Sequence, residues 1–163
     1  MPNEQVLFQA EGICKSFGST VAVENVNLTL HRGEIRGLVG ENGSGKSTFA
    51  AIAAGLHRPD SGVMYLKGKP YIPGSMIDGS RHGIGMIVQE TGTVPGITVA
   101  QNIFLGRETQ FKRFGFISKK AMTEAAKSAL DSIGFAGVDP NAYIDSLDME
   151  SRKLVEVAKV IHD

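Results

Sequence analysis

The chain has 163 residues, enough for one domain with a core of its own but near the lower end for an α/β nucleotide enzyme. Seventeen basic residues balance seventeen acidic ones, so no global charge points to a polyanion, and nucleic acid is not an expected partner. A single cysteine, Cys14, excludes an intramolecular disulfide, and no apolar stretch approaches the ~20 residues that cross a bilayer. Met1 to Gln5 also lacks the basic residues and apolar run of a secretory signal, which together fits a reducing compartment.

Val6 to Phe17 and Val21 to Leu30 are rich in β-branched and aromatic residues and flank Gly18-Ser19-Thr20, which predicts two strands joined by a turn. After a second turn at His31-Arg32-Gly33, the run Glu34-Ile35-Arg36-Gly37-Leu38-Val39 enters a glycine-rich loop as a buried strand would. Lys46 to Leu56 carries Phe49, Ala50, Ile52, Ala53 and Leu56 without an internal breaker, and predicts a helix stopped by Arg58-Pro59-Asp60-Ser61-Gly62. Short strands are expected over Gly62 to Lys67 and Ile84 to Val88. Thr98-Val99-Ala100-Gln101 has the spacing of a capping box just before Ile103, Phe104 and Leu105. Gln110 to Gly115 reads as an exposed loop. Ser118 is placed to cap a longer helix whose Met122, Ala125, Ala126, Ala129, Leu130 and Ile133 share one face. A last helix is expected from near Asp148, with Leu154, Val155, Ala158 and Ile161 along it.

Gly40-Glu41-Asn42-Gly43-Ser44-Gly45-Lys46-Ser47-Thr48 matches G-x-x-x-x-G-K-[ST] at every fixed position. The glycines allow successive backbone N–H groups to point inward at phosphate oxygens, and the loop opens a helix whose dipole favours an anion. Lys46 can reach the β- and γ-phosphates, and the Ser47 hydroxyl can ligate Mg²⁺. At ordinary residue frequencies an accidental match in a chain of this length is on the order of 1%. ATP with Mg²⁺ is therefore the expected ligand.

The loop alone leaves the class of nucleotide protein open. A GTPase would need a base-reading N-K-x-D, and none occurs. Asp131-Ser132-Ile133-Gly134 matches D-x-x-G but ends an amphipathic helix, where a switch motif does not belong. A soluble P-loop kinase has no tight signature to test. Gly12-Ile13-Cys14-Lys15-Ser16-Phe17-Gly18, the strand Gly83 to Glu90, and Thr98-Val99-Ala100-Gln101-Asn102-Ile103-Phe104-Leu105-Gly106-Arg107-Glu108 resemble the ATP-binding subunits of ABC transporters. The likeness is to the first of two tandem cassettes in the sugar-importer type, and it covers nearly the whole chain.

That resemblance implies an α/β P-loop core with an antiparallel β portion over about 1–97 and a helical subdomain over about 98–163. It implies that Phe17 stacks on adenine, the alternative being a core position, and that Gln89 touches Mg²⁺ or the attacking water. It implies as partners a membrane-spanning subunit docked through the helical subdomain, a second cassette, and indirectly a solute-binding protein outside the cell. The protein would then sit on the cytoplasmic face of the membrane and drive uptake of a small solute, a sugar by this likeness.

Two departures stand against the resemblance. Leu147-Asp148-Met149-Glu150-Ser151 lies where the family has Leu-Ser-x-Gly-Glu/Gln, so Asp148 and Glu150 replace the serine and glycine. In the family this helix start faces the γ-phosphate held by the opposite cassette. At roughly 5 Å and an effective dielectric near 20, each carboxylate–phosphate charge pair would cost about 3 kcal/mol before screening. A degenerate signature and a non-hydrolysing module are thus one reading, and a simple N-cap by Asp148 is the other. The second departure is that no apolar strand ending in Asp-Glu, and no later switch histidine, occurs by Asp163. The expectation is a chain that stops before that strand, with minimal turnover and a marginal or self-associating fold.

His31, His57, His82 and His162 share no metal-ligand spacing with one another or with Cys14. The six methionines sit singly among apolar positions as packing residues. Lys112-Arg113 and Lys119-Lys120 could meet lipid headgroups or an acidic loop of a partner, although solvated surface is the plainer reading.

Overall fold

The structure, a computed structural model, describes residues 5–87, 92–113 and 115–161. The chain divides into two compact units, residues 1–86 and 87–163.

The first unit is built on a long antiparallel hairpin, β1 (Val6–Phe17) and β2 (Thr20–His31). β3 (Ser61–Leu66) pairs with the other edge of β1, and β4 (Lys69–Pro70) extends the sheet to the order β2-β1-β3-β4. β1 is therefore paired on both sides. Its Phe8 and Ala10 point to one face at a period of two, and after a register shift between Ala10 and Ile13 that face is continued by Ile13. Phe49 and Ile52 of α1 (Lys46–Ala53) close over it with Val23, Met64 and Tyr71. Ile13 and Ile52 are completely buried, each contributing about 1.5–3 kcal/mol relative to exposure.

α1 is shorter than its apolar pattern predicts. Gly55, at φ 82°, turns the chain out of the helix, so that the Leu56 N–H donates to the Ala51 carbonyl at 2.8 Å and the Gly55 N–H to the Ile52 carbonyl at 3.0 Å. That is a left-handed C-terminal cap. α2 (Met76–Arg81) leaves no such pattern in six residues, and is set by Ser75, whose hydroxyl accepts from the Asp78 N–H at 3.2 Å.

The expected strand over residues 34–39 does not form. Ile35 is fully exposed and Val39 is 97% exposed, and among the described residues no strand pairs with them. A strand needs a neighbour for its N–H and C=O groups as well as an apolar sequence, and here the sequence is present without the neighbour. Residues 84–87 are likewise without strand pairing, and Val88 lies outside the described residues.

The second unit is helical. α3 (Val99–Ile103) opens on a complete capping box: Thr98 Oγ1 accepts from the Gln101 N–H at 3.2 Å, and Gln101 Oε1 from the Thr98 N–H at 2.9 Å. α4 (Lys119–Ser132) is capped by Ser118 and buries Met122, Ala126, Ala129 and Leu130, with Ala125 and Ile133 at the margin. α5 (Met149–Ile161) adds Val155 and Ala158 to the same core, while Ile161 is exposed. β5 (Lys112–Arg113), inside the segment expected as a loop, and β6 (Phe116–Ile117), just after it, make a small hairpin. Two-residue strands are too short to leave an alternation in the sequence.

Two buried polar side chains tie residues 92–96 to this unit. Asn102 accepts from the Val94 N–H at 2.6 Å and donates to the Val94 and Thr98 carbonyls at 3.1 and 3.2 Å. Glu156, 5% exposed, accepts from the Gly92 N–H at 2.6 Å and from Lys153 Nζ at 3.0 Å. At the start of α5, Asp148 Oδ1 accepts from the Ser151 N–H at 2.8 Å. That bond, with the Ser151 hydroxyl, holds the Asp148 carboxyl below its usual range.

These ties order the expected mutational effects in urea denaturation. Thr98→Ala removes one cap bond and lowers stability by about 1 kcal/mol. Asn102→Ala removes three hydrogen bonds made by a buried side chain, at about 1 kcal/mol each, and costs about 2–3 kcal/mol; equal losses in the two variants would contradict the assignment. Asp148 has a depressed folded-state pKa, so its contribution is present above the unfolded value of about 3.9 and is lost as pH falls through the folded value. Asp148→Asn still caps, so it should match the parent near pH 7 and lose less stability between pH 7 and pH 3. An identical acid dependence in both proteins would count against this role.

Candidate nucleotide site

Residues 40–45 form an exposed run of turns leading directly into α1. The junction is Gly45, which sits at φ 85° as the helix N-cap. A Cβ on Gly45 would stand 2.2 Å from the Ala22 carbonyl oxygen of β2, so both the backbone angle and the close approach require glycine. Gly43 also takes a positive φ, 86°. The Ser44 N–H donates to the Glu41 carbonyl at 3.2 Å, and the Phe49 N–H to the Gly45 carbonyl at 2.8 Å. The loop is thus folded on itself before the helix begins.

α1 has no side-chain cap and no acidic residue in its first turn. Its leading N–H groups and the positive end of its dipole are therefore available to an anion. The Lys46 ammonium lies over the loop and donates to the Gly40 carbonyl at 2.8 Å, the Glu41 carbonyl at 2.7 Å and Ser44 Oγ at 3.1 Å. An ammonium has three donors, and these three acceptors use them. Ser47 is exposed in the first turn and Thr48 half-buried, while Asn42 lies at the exposed tip of the loop. Beside the loop runs a cleft of about 570 Å³, walled by β2 and by Leu38, Val39 and Phe49. Among the described residues, Glu24 supplies the one carboxylate lining it.

Phe17 ends β1 in the same unit and is not a core residue: it is 45% exposed. Its ring meets His57 edge-on, with centroids 5.1 Å apart, and Lys15 Nζ lies 5.6 Å from its centroid. Asp60 fixes this corner, accepting from Lys15 Nζ and the Ser16 N–H, both at 2.7 Å. The Lys15 ammonium first, then the Ser16 N–H, keep the Asp60 carboxyl below its ordinary range. Phe17 does not line the cleft beside the loop. Gln89 lies outside the described residues.

The segment 147–151 belongs to the helical unit. Leu147 packs on the helical core, Asp148 caps α5 through Ser151, and Met149 and Glu150 are exposed at the helix start. Arg152 holds the preceding turn through the Leu147 and Asp145 carbonyls, both at 3.0 Å. The ties of Glu156 to Gly92 and of Asn102 to Val94 fix the chain just after residues 88–91. Sequence reasoning missed both. Their signal is a polar residue within an apolar helical stretch, beside Ile103-Phe104 for Asn102 and between Val155 and Ala158 for Glu156.

The sequence profile described as ABC transporter matches residues 23–162. The ribose import ATP-binding protein RbsA of Chromobacterium violaceum is 42% identical over 150 residues, which are 92% of this chain and 30% of that protein. A putative ribose/galactose/methyl galactoside import ATP-binding protein of Agrobacterium fabrum is 40% identical over 161 residues, 99% of this chain and 31% of that protein. The chain thus spans about 30% of the length of these curated relatives. Among solved structures, a nucleotide-free ATP-binding cassette from an ABC transporter superposes with a TM-score of 0.76 at 21% identity, covering 96% of this chain and 65% of that one. A dimeric cassette in a post-hydrolysis state with ADP and Pi gives 0.74 at 23% identity, covering 96% and 69%. These neighbours establish the α/β cassette fold, and the profile, spanning most of the sequence, establishes that the chain belongs to the ABC transporter family.

Proposed function

We propose that this chain binds ATP with Mg²⁺ on residues 40–48 and forms the nucleotide-binding part of an importer for a small sugar. The observation that carries the first half is the loop itself: an uncapped helix start, a glycine junction held against β2, and a lysine already over the backbone. A triphosphate takes up the leading N–H groups of α1, and Lys46 exchanges part of its loop contacts for β- and γ-phosphate oxygens. The exposed Ser47 hydroxyl is a hard oxygen donor of the kind Mg²⁺ accepts alongside phosphates. When bound, Mg²⁺ would neutralise charge on the β- and γ-phosphates; Gln89 is proposed on the same side. Phe17 offers an exposed aromatic ring for adenine, which stacks without strict reading of the base.

The second half draws on the relatives, whose names place them in ribose and galactose import. By that likeness the helical unit docks on a membrane-spanning subunit at the cytoplasmic face, a second cassette faces the loop, and a solute-binding protein selects the sugar. Nothing favours a soluble kinase. The chain by itself is proposed to bind without appreciable hydrolysis: among the described residues Glu24 is the one carboxylate lining the cleft, and it is solvent-exposed on β2.

Titration of a fluorescent ATP analogue with Mg²⁺ into the chain and its Lys46→Ala variant tests this, with phosphate release followed in the same samples. Loss of the charged hydrogen bonds is expected to weaken binding about 10- to 100-fold, with no turnover in either protein. Equal affinities would remove the phosphate from this loop. Turnover that depends on Lys46 would contradict the proposed lack of a catalytic base.

A further inference from the structure

The β5–β6 hairpin of the helical unit carries a surface that nucleotide binding does not use. Its base is fixed: Phe111 packs edge-on against the buried Phe104 with centroids 4.7 Å apart, and the Ser118 N–H donates to the Phe111 carbonyl at 3.0 Å. From that base Phe116 projects 81% exposed and Ile117 48% exposed. The register pairs Arg113 with Phe116 and Lys112 with Ile117. Directly paired residues share a face of the hairpin, so each exposed apolar side chain has a cation beside it.

The charge around it is one-sided in a chain that is otherwise balanced. Residues 107–123 contain five basic residues and one acidic residue, Glu108, whose carboxylate accepts from the Gly106 N–H at 3.1 Å. Among the described residues, no ion pair joins Lys112, Arg113, Lys119 or Lys120 to an acid. Lys119 and Lys120 open α4, whose first turn holds no acid. A helix start is the unfavourable end of the dipole for cations, so the stability of α4 does not account for them. Exposed apolar side chains, one on each face of the hairpin with a cation beside it, match an anionic bilayer surface. Apolar tips enter the headgroup layer while long basic side chains run alongside to the phosphates. Carboxylates of an acidic polypeptide alone would satisfy the cations and leave Phe116 and Ile117 in water.

We propose that this hairpin is a membrane-surface contact, with Phe116 and Ile117 inserted among anionic lipid headgroups and Lys112, Arg113, Lys119 and Lys120 on their phosphates. It rests on the hairpin alone and stands or falls independently of nucleotide binding.

The chain has no tryptophan, so Phe116→Trp gives a single indole at an exposed position that does not support the core. On vesicles of phosphatidylcholine with phosphatidylglycerol its emission should shift to the blue and become shielded from an aqueous quencher. On phosphatidylcholine alone it should not. Adding Lys112→Ser and Arg113→Ser should weaken vesicle binding about 25-fold, at about fivefold per cation. Ile72→Trp, at an exposed apolar position of the other unit, should stay unshifted, and the unsubstituted chain should sediment with the anionic vesicles only. An unshifted Phe116→Trp reporter on anionic vesicles, equal shifts on both vesicle types, or a matching shift at position 72 would overturn the proposal. So would a shift produced by an acidic polypeptide and not by vesicles.

Discussion

Ala22 and Gly45 bring a strand carbonyl and the first residue before a helix so close that a methyl group on Gly45 would stand 2.2 Å from the oxygen. This contact anchors the loop of residues 40–45 to the sheet. Because β2 is held along its length by β1, and β1 in turn by β3, the Ala22 carbonyl is a fixed point rather than a loop atom. α1 is fixed at the same time by burying Phe49 and Ile52 on the sheet. The loop between is left little freedom. Its turn closes through Ser44 and Glu41, and the Lys46 ammonium draws the carbonyls of Gly40 and Glu41 together. A site proposed to hold a polyanion through backbone N–H groups benefits from being ordered before the ligand arrives, since less ordering remains to oppose binding.

The helical unit is organised by a different device. Its apolar core is made by three short or medium helices, and buried polar side chains secure the irregular chain between them. Asn102 makes the contacts of a missing strand neighbour for Val94, and Glu156 does so for the Gly92 N–H. Buried polar groups of this kind add little when satisfied and cost much when one partner is lost. They define where the segment after residues 88–91 lies within its own unit.

Much of this was legible in the sequence, and the legible parts share one property: their signal is local. The capping box at Thr98 and Gln101, the Ser118 cap and the apolar face of α4 depend on residues within one or two turns. The geometry of the 40–48 loop is legible for the same reason, since nine consecutive residues carry it. The long β1–β2 hairpin was readable from its β-branched runs and turn. The strand expected over 34–39 was not, because pairing is a property of two segments and the apolar pattern reports on one. The early end of α1 turns on Gly55, whose positive φ the apolar periodicity does not report. Phe17 could not be assigned to core or surface from type alone; its exposure follows from its place at the turn end of β1, where Asp60 fixes Lys15 and Ser16. Glu156 and Asn102 were hidden because a buried polar residue looks like any polar residue until its partner is known.

The central claim is that a preformed loop, anchored at Gly45 and covered by Lys46, is where the nucleotide sits. Amide hydrogen exchange of the chain with and without Mg²⁺ and ATP tests it directly. The account predicts that nucleotide slows exchange at the amides of residues 43–48, with no comparable change in α4 or α5. Protection absent from this stretch, or concentrated in the helical unit, would contradict it.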